Sequence, residues 1–264
     1  MNKFAVVGLV RGYEGNIEKY DSLLKRNKSI YEQIGKSSNF SYDMILFHES
    51  SLFDSDKRYI QSKSPEEINF INVDKSFEIN YSNLDIDNEE LKRFNIGYRM
   101  MCRFNSLYIW DFVSNYDYIL RVDEDVEFLK VEDNLFQNME KNNKIFKSVK
   151  YIPETHKITN ETLPNYIKEQ LNLNDINFYN HKFPYTNVYI SSVKFWLKQN
   201  INLNLKKVVE NENQLIFRWG DLPIIGSFLN IYLKKEQFGY FMNTAYRHES
   251  HNQIVKSKTK FKIW

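Results

Sequence analysis

The run FAVVGLV (residues 4–10) constrains the fold more than any other stretch of this chain. Its apolar, β-branched positions do not alternate with polar ones, so it suits a strand buried on both faces. The loop RGYEGN follows. IEKYDSLLKRNKSIYEQIG (17–35) then carries apolar residues at helical spacing and ends on a glycine stop. YDMILFHE (42–49) is a second apolar strand. Strand, loop, helix and strand make a βαβ unit, whose right-handed crossover implies a parallel sheet. The expected class is α/β, with a mixed, mainly parallel central sheet flanked by helices.

Further along, INFINV (68–73) reads as a short strand inside a polar, irregular stretch. Residues 88–115 read as helical with a break near Gly97, and YDYILRV (116–122) as another buried strand. The Lys- and Asn-rich stretch 130–180 is expected to hold insertions and short helices. YTNVYISSVKFW (185–196) reads as a strand and a helix start. FRWGDLPIIGSFLNIYL (217–233) reads as a helix opening near Asp221, with Pro223 tolerated in its first turn. FGYFMNTAYRHESH (238–251) reads as a strand and then a loop. No repeat or linker interrupts the chain, so one domain over 1–264 is expected.

The 264 residues suffice for a sizeable core. Basic and acidic residues number 36 and 34, a net charge of +2, which is no polyanion-binding balance and argues against nucleic acid as a partner. Cys102 is the one cysteine, so no intrachain disulfide forms and nothing indicates an oxidising compartment. The opening MNKFAVVGLVRG is too short an apolar run for a signal peptide or membrane anchor. A cytoplasmic protein of a microbe, a protist or a large virus is expected, or a trimmed chain. The 20 Phe and 18 Tyr suit stacking on rings and hydrogen bonding to hydroxyls.

The strongest chemical signal is LRVDEDVEF (120–128), a strand running straight into Asp123, Glu124 and Asp125. Open α/β sheets bind ligands beyond the carboxyl ends of their strands. Asp123 and Asp125 are two apart, so in extended chain they point to one side. Two hard oxygen ligands there hold Mg²⁺ or Mn²⁺, which bridges a substrate diphosphate and offsets charge on a leaving nucleotide. Taken alone, the triplet fits a metal site and a solvated turn equally well.

Longer segments shift that balance. GYRMMCRFNSLYIW (97–110) and YDYILRVDEDVEF (116–128) resemble the fungal α-1,2-mannosyltransferases of glycosyltransferase family 15. That family carries a Tyr-Arg-x-Met-Cys-Arg-Phe segment and a Tyr-x-Tyr-x-x-Arg-Val strand ending in acidic residues. FRWGDLPIIGSFLNIYL and FGYFMNTAYRH (238–248) are similar to two later family blocks, in the same order. The resemblance implies a GT-A-like nucleotide-sugar-binding fold. It implies a metal held by Asp123, Asp125 and His248. For that ligand set Mn²⁺ is expected, with Mg²⁺ the weaker fit to an imidazole. It also implies a donor site lined by Arg11, Tyr98, Arg99, Arg103 and Asp123. For each arginine, ligand contact and structural pairing are equally compatible with the sequence. Trp219, Gly220 and Asp221 are expected to shape the acceptor side, although Asp221 equally suits a helix N-terminus.

The activity so implied is transfer of a hexose, mannose from GDP-mannose, to a glycan hydroxyl, with retention and an α-linkage. One position departs from the family. Alignment on Phe195 and Trp196 puts Tyr189 where the family has a Glu considered as a nucleophile. Three accounts stay open: front-side attack, a substitute carboxylate such as Glu212, or a changed donor or acceptor. A UDP-sugar donor and a non-catalytic nucleotide- or glycan-binding relative are the alternatives.

Overall fold

A computed structural model describes residues 2–36, 41–79, 94–173 and 182–257. Its centre is a seven-stranded sheet in the order β10-β6-β9-β4-β1-β2-β3. The strands are β1 (Phe4–Val10), β2 (Asp43–His48), β3 (Ile68–Asn72), β4 (Tyr118–Val122), β6 (Phe146–Ser148), β9 (Val188–Ser192) and β10 (Phe238–Tyr240). β3, β2, β1 and β4 run parallel; β9 runs against both β4 and β6; β10 is parallel to β6.

The unbroken apolar run of β1 is explained by helices on both faces of the sheet. Ala5 and Val7 point to one core cluster, Phe4 and Val6 to the other, as a two-residue period requires. The first cluster takes the π-type turn Phe104–Tyr108 and the helices Gln199–Val209 and Asp221–Tyr232 through Phe104, Leu205, Ile224 and Phe228. The second takes α1 (Asp21–Ile30), α2 (Asp54–Lys63) and Leu135–Lys141 through Leu23, Ile60 and Phe136. Burying each of these side chains stabilises the fold by about 1.5–3 kcal/mol.

Several expected boundaries shift. The helix expected over 17–35 is α-helical only over Asp21–Ile30, between a 3₁₀ turn and a wider π-type turn. Near Gly97 a helix begins. The helix starts at Ile96, capped by the Asn95 side chain accepting from Tyr98 N, so Gly97 lies in its first turn; residues 88–93 of the expected helix lie outside the described residues. In 130–180, Lys157–Leu171 is a 15-residue helix rather than a short one, with Pro164 inside it. The expected loop after β10 contains β11 (Ala245–His248), and β12 (Gln253–Lys256) follows. These strands join β5 (Val126–Lys130) in a three-stranded antiparallel sheet, β12-β11-β5. Among the described residues no helix is long and apolar enough to cross a membrane.

The β1–β4 ladder stops at Val7↔Arg121, whereas β1–β2 continues to Val10↔His48. The gap beyond Val7 is filled by Arg26 of α1, which is wholly buried. Its guanidinium donates to Val7 O at 3.2 Å and to Val122 O at 3.2 and 3.3 Å. Gly8 makes room: a Cβ there would lie 2.8 Å from the guanidinium. The carboxyl ends of β1 and β4 are thus held apart at a fixed spacing, and the acidic triplet sits at that end.

Candidate metal and donor site

Asp123 leaves β4 and Asp125 enters β5, so the intervening turn carries both carboxylates at the edge of the crevice. Asp123 N donates to Asn187 O at 3.0 Å and Val126 N to Asp123 O at 3.3 Å, which fixes the turn. His248 ends β11, opposite Val126. Pairing of β11 with β5 therefore delivers the imidazole to the two carboxylates. Asp123, Asp125 and His248 each offer a ligand atom within 4.8 Å of the others. Two carboxylate oxygens and one imidazole nitrogen form a donor set that suits Mn²⁺.

The electrostatics also suit a cation. Burial pushes Asp123 up to about 6 against the pull of Arg121, and the neighbouring charges of Asp125 and Asp221 raise it further. For Asp125, burial acts upward but is outweighed. Hydrogen bonds to His248 and Ser250 hold it well below the usual carboxylate range. Asp125 Oδ1 lies 3.3 Å from His248 Nε2, and Oδ2 accepts from Ser250 N at 3.1 Å.

Behind His248 stands Asn187, 4% exposed. Its amide nitrogen lies 3.0 Å from His248 Nδ1, and its Oδ1 accepts from the Tyr246 hydroxyl at 2.8 Å. A metal-bound imidazole needs an acceptor at Nδ1–H. A half-turn of the Asn187 amide, indistinguishable in shape, provides one: Oδ1 then faces Nδ1–H and Nδ2 donates to the Tyr246 oxygen. Tyr185 completes the surround. Its hydroxyl lies 3.3 Å from His248 Nδ1 and accepts from Gln253 Nε2 at 3.0 Å.

Arg121 links this cluster to the next helix. Only 4% of its side chain is exposed; it lies 2.6 Å from Asp123 Oδ1 and 3.7 Å from Asp221 Oδ2, and it donates to Thr186 O. Its guanidinium also lies 5.9 Å from the centre of the Tyr189 ring, its direct partner across the β4–β9 ladder. Asp221 opens the helix Asp221–Tyr232, with Oδ1 accepting from Leu222 N at 3.0 Å. Tyr189 is wholly buried, stacks on Phe146 with ring centres 5.0 Å apart, and its hydroxyl has no hydrogen-bond partner among the described residues. Burial raises its pKa against the pull of Arg121, so the phenol stays protonated.

The remaining expected site residues divide. Arg11 is exposed just past β1, and its backbone N donates to Glu124 Oε2 at 2.9 Å. Tyr98 is half-buried and accepts from Arg218 Nη2 at 3.1 Å; Arg218 in turn stacks 3.8 Å from the Phe94 ring centre. Arg99 and Arg103 are engaged inside the protein. Arg99 donates to Phe94 O at 2.9 Å and Leu215 O at 2.6 Å. Arg103 donates to Gln214 Oε1 at 3.0 Å and Asn211 O at 3.2 Å. With 1% and 3% exposure, they pin their helix to segment 211–215, the structural pairing that the sequence had left open. Glu212 lies exposed in the first turn of the helix Glu212–Ile216 and takes no part in the Asp123–Arg121–Asp221 chain. Cys102 is buried, and burial pushes its thiol up to about 12, as suits a packing residue.

Sequence reasoning missed Arg26, Arg121 and the Asn187–Tyr246 pair as site components. The Arg-Val pattern before the triplet was a usable signal for Arg121. No local pattern pointed to Arg26, which comes from α1 across the sheet.

The sequence profile of the glycolipid 2-alpha-mannosyltransferase family matches residues 16–262. Glycolipid 2-alpha-mannosyltransferase 1 of Candida albicans is 28% identical over 171 residues, which cover 58% of this chain and 39% of that protein. Glycolipid 2-alpha-mannosyltransferase of Saccharomyces cerevisiae is 22% identical over 288 residues, covering 97% of this chain and 63% of that one. The chain thus spans less than two thirds of either relative's length. Among solved structures, core-mannan synthase A of Aspergillus fumigatus in its Mn/GDP form superposes with a TM-score of 0.78 at 18% identity, over 94% of this chain and 75% of that one. The galactosyltransferase LgtC with donor and acceptor sugar analogues gives 0.52 at 14% identity, over 89% and 72%. These likenesses speak to the fold, which is that of the GT-A glycosyltransferases. With the family profile running over nearly its whole length, the chain belongs to the glycolipid 2-alpha-mannosyltransferase family.

Proposed function

We propose that the protein transfers mannose from GDP-mannose to a glycan hydroxyl, with Mn²⁺ bound, retaining configuration and giving an α-linkage. The observation that carries this reading is the convergence of Asp123, Asp125 and His248 at the carboxyl end of β4. It is supported by the family and by the Mn/GDP form of a protein with the same fold. Bound to those three residues, Mn²⁺ supplies positive charge against the diphosphate of the departing nucleotide. Arg11, exposed beside Glu124, is available to the nucleotide as a charged hydrogen-bond donor. Arg121 balances Asp123 and Asp221, so the two carboxylates lie near the reacting centre at a tolerable cost in repulsion.

The buried phenol of Tyr189 makes a poor nucleophile, because burial raises its pKa and no base among the described residues contacts its hydroxyl. Front-side attack, with the leaving phosphate taking the acceptor proton, fits this arrangement best. The same Tyr189 favours a second reading, a nucleotide-binding relative that does not transfer. A panel of nucleotide sugars, with and without Mn²⁺, separates the readings when transfer, hydrolysis and nucleotide affinity are all followed. Mannose transfer from the GDP-sugar is expected, with GDP bound more tightly than UDP. A clear UDP preference would overturn the donor assignment; tight GDP binding without any transfer would favour the second reading.

A further inference from the structure

Lys150 lies just after β6, over the ring of Tyr185. Its backbone is fixed: Lys150 O accepts from Tyr185 N at 3.0 Å and from the Ser148 hydroxyl at 3.1 Å. Its Nζ stands 4.1 Å from the centre of the Tyr185 ring, and the hydroxyl of that ring lies 3.3 Å from His248 Nδ1. The side chain is half-buried, and no carboxylate lies within ion-pair distance of it among the described residues. Lys147, three residues earlier, shows the contrast: Glu132 meets its ammonium at 2.7 and 2.8 Å.

A half-buried ammonium without a counter-charge is costly, and burial holds Lys150 below the usual lysine range. The Tyr185 ring face offsets part of that cost. An anion arriving from solvent would offset the rest. A lysine, as a mobile point charge with three donors, suits a phosphoryl group in particular.

We propose that Lys150, held over the Tyr185 ring, binds a phosphoryl group of substrate beside the Asp123–Asp125–His248 cluster. This rests on the reading of that cluster as a nucleotide-sugar site. The phosphoryl group is either the donor's diphosphate or a phosphate carried by the acceptor.

Calorimetric titration of wild type, Lys150→Met and Lys150→Arg with GDP and with inorganic pyrophosphate, each with Mn²⁺, tests the donor source. Methionine keeps an unbranched stem on the ring and removes the charge. Transfer to methyl mannoside and to mannose 6-phosphate tests the acceptor source. If the donor diphosphate is bound, Lys150→Met loses about tenfold or more in affinity for both GDP and pyrophosphate, and Lys150→Arg recovers most of it. If an acceptor phosphate is bound, those affinities hold, and the kcat/KM for mannose 6-phosphate falls about tenfold or more relative to methyl mannoside. Lys150→Met indistinguishable from wild type with every probe overturns the Lys150 site and leaves the donor reading standing. Wild type that binds pyrophosphate but no nucleotide overturns the donor reading and leaves Lys150 to be judged on pyrophosphate alone. Wild type that binds neither overturns both.

Discussion

Asn187 offers the sharpest test of how the imidazole is held. Asn187→Leu keeps the side-chain size and the backbone carbonyl that accepts from Asp123 N. It removes the hydrogen-bond partner of the wholly buried Tyr246 hydroxyl and of His248 Nδ1. A buried hydroxyl left unpaired costs about 1–3 kcal/mol. Tyr185 still reaches Nδ1 at 3.3 Å, so the histidine loses one support of two. The expected loss of stability is therefore about 2–3 kcal/mol by urea unfolding. Removing the outer partner of a metal-ligating histidine should weaken Mn²⁺ about 10–100-fold, read by calorimetry in the presence of GDP. Asn187→Asp separates the two effects. Its two acceptor oxygens serve both Tyr246 O–H and Nδ1–H without a half-turn, so Mn²⁺ should bind at least as tightly as to wild type. The added negative charge beside Asp123 and Asp125 should lower the melting temperature without metal, and Mn²⁺ should raise it more than in wild type. If Asn187→Asp binds Mn²⁺ as weakly as Asn187→Leu, the account of Asn187 as the imidazole's hydrogen-bond partner is wrong.

Asp125→Asn keeps an acceptor for Ser250 N and loses the charge. Mn²⁺-dependent GDP binding should fall more than about 100-fold, beyond the range of outer-partner changes; unchanged affinity would remove Asp125 from the ligand set. Arg121→Met leaves Asp123 and Asp221 facing each other with no cation between them, and should cost about 3–5 kcal/mol in denaturant unfolding. A cost under about 1 kcal/mol would mean that solvent already screens the pair. Tyr189→Phe removes a buried hydroxyl that has no partner among the described residues, so stability should hold or rise by about 1 kcal/mol. Transfer should stay within about tenfold, and a loss of many orders of magnitude would make the phenol a participant in the chemistry.

The elements legible in the sequence were those whose pattern is local. β1 is a continuous apolar run and β2 and β4 are mostly apolar, and β4 feeds directly into its acidic triplet. β11 and β12 were not legible. Each is four residues long, and β11 reads as a strand only once β5 pairs with it, because Tyr246 and His248 are buried while Arg247 is exposed. The candidate metal-ligand set came from the resemblance, and pairing of β11 with β5 is what brings the three residues together. The roles of Arg99 and Arg103 were undecidable from spacing. Four-residue separation sets a helix face but not what lies opposite, and here backbone carbonyls of 211–215 lie opposite. Arg26 was invisible for a related reason: its partners are carbonyl oxygens of two other strands, which leave no trace in composition.

The ligand set also has a consequence for the order of assembly. Asp123 and Asp125 are made early in synthesis; His248 comes much later, on a strand that needs both β5 and β12 beside it. Closing so long a loop is slow compared with forming local helices and turns. A nascent chain that ends at Tyr240 contains every strand of the central sheet and both carboxylates, yet lacks the imidazole. On the proposed reading, the three candidate cation ligands are therefore together only after the central sheet has its full sequence. Until then, only the carboxylates of the proposed site are present, and metal binding should strengthen once the segment through β12 has docked.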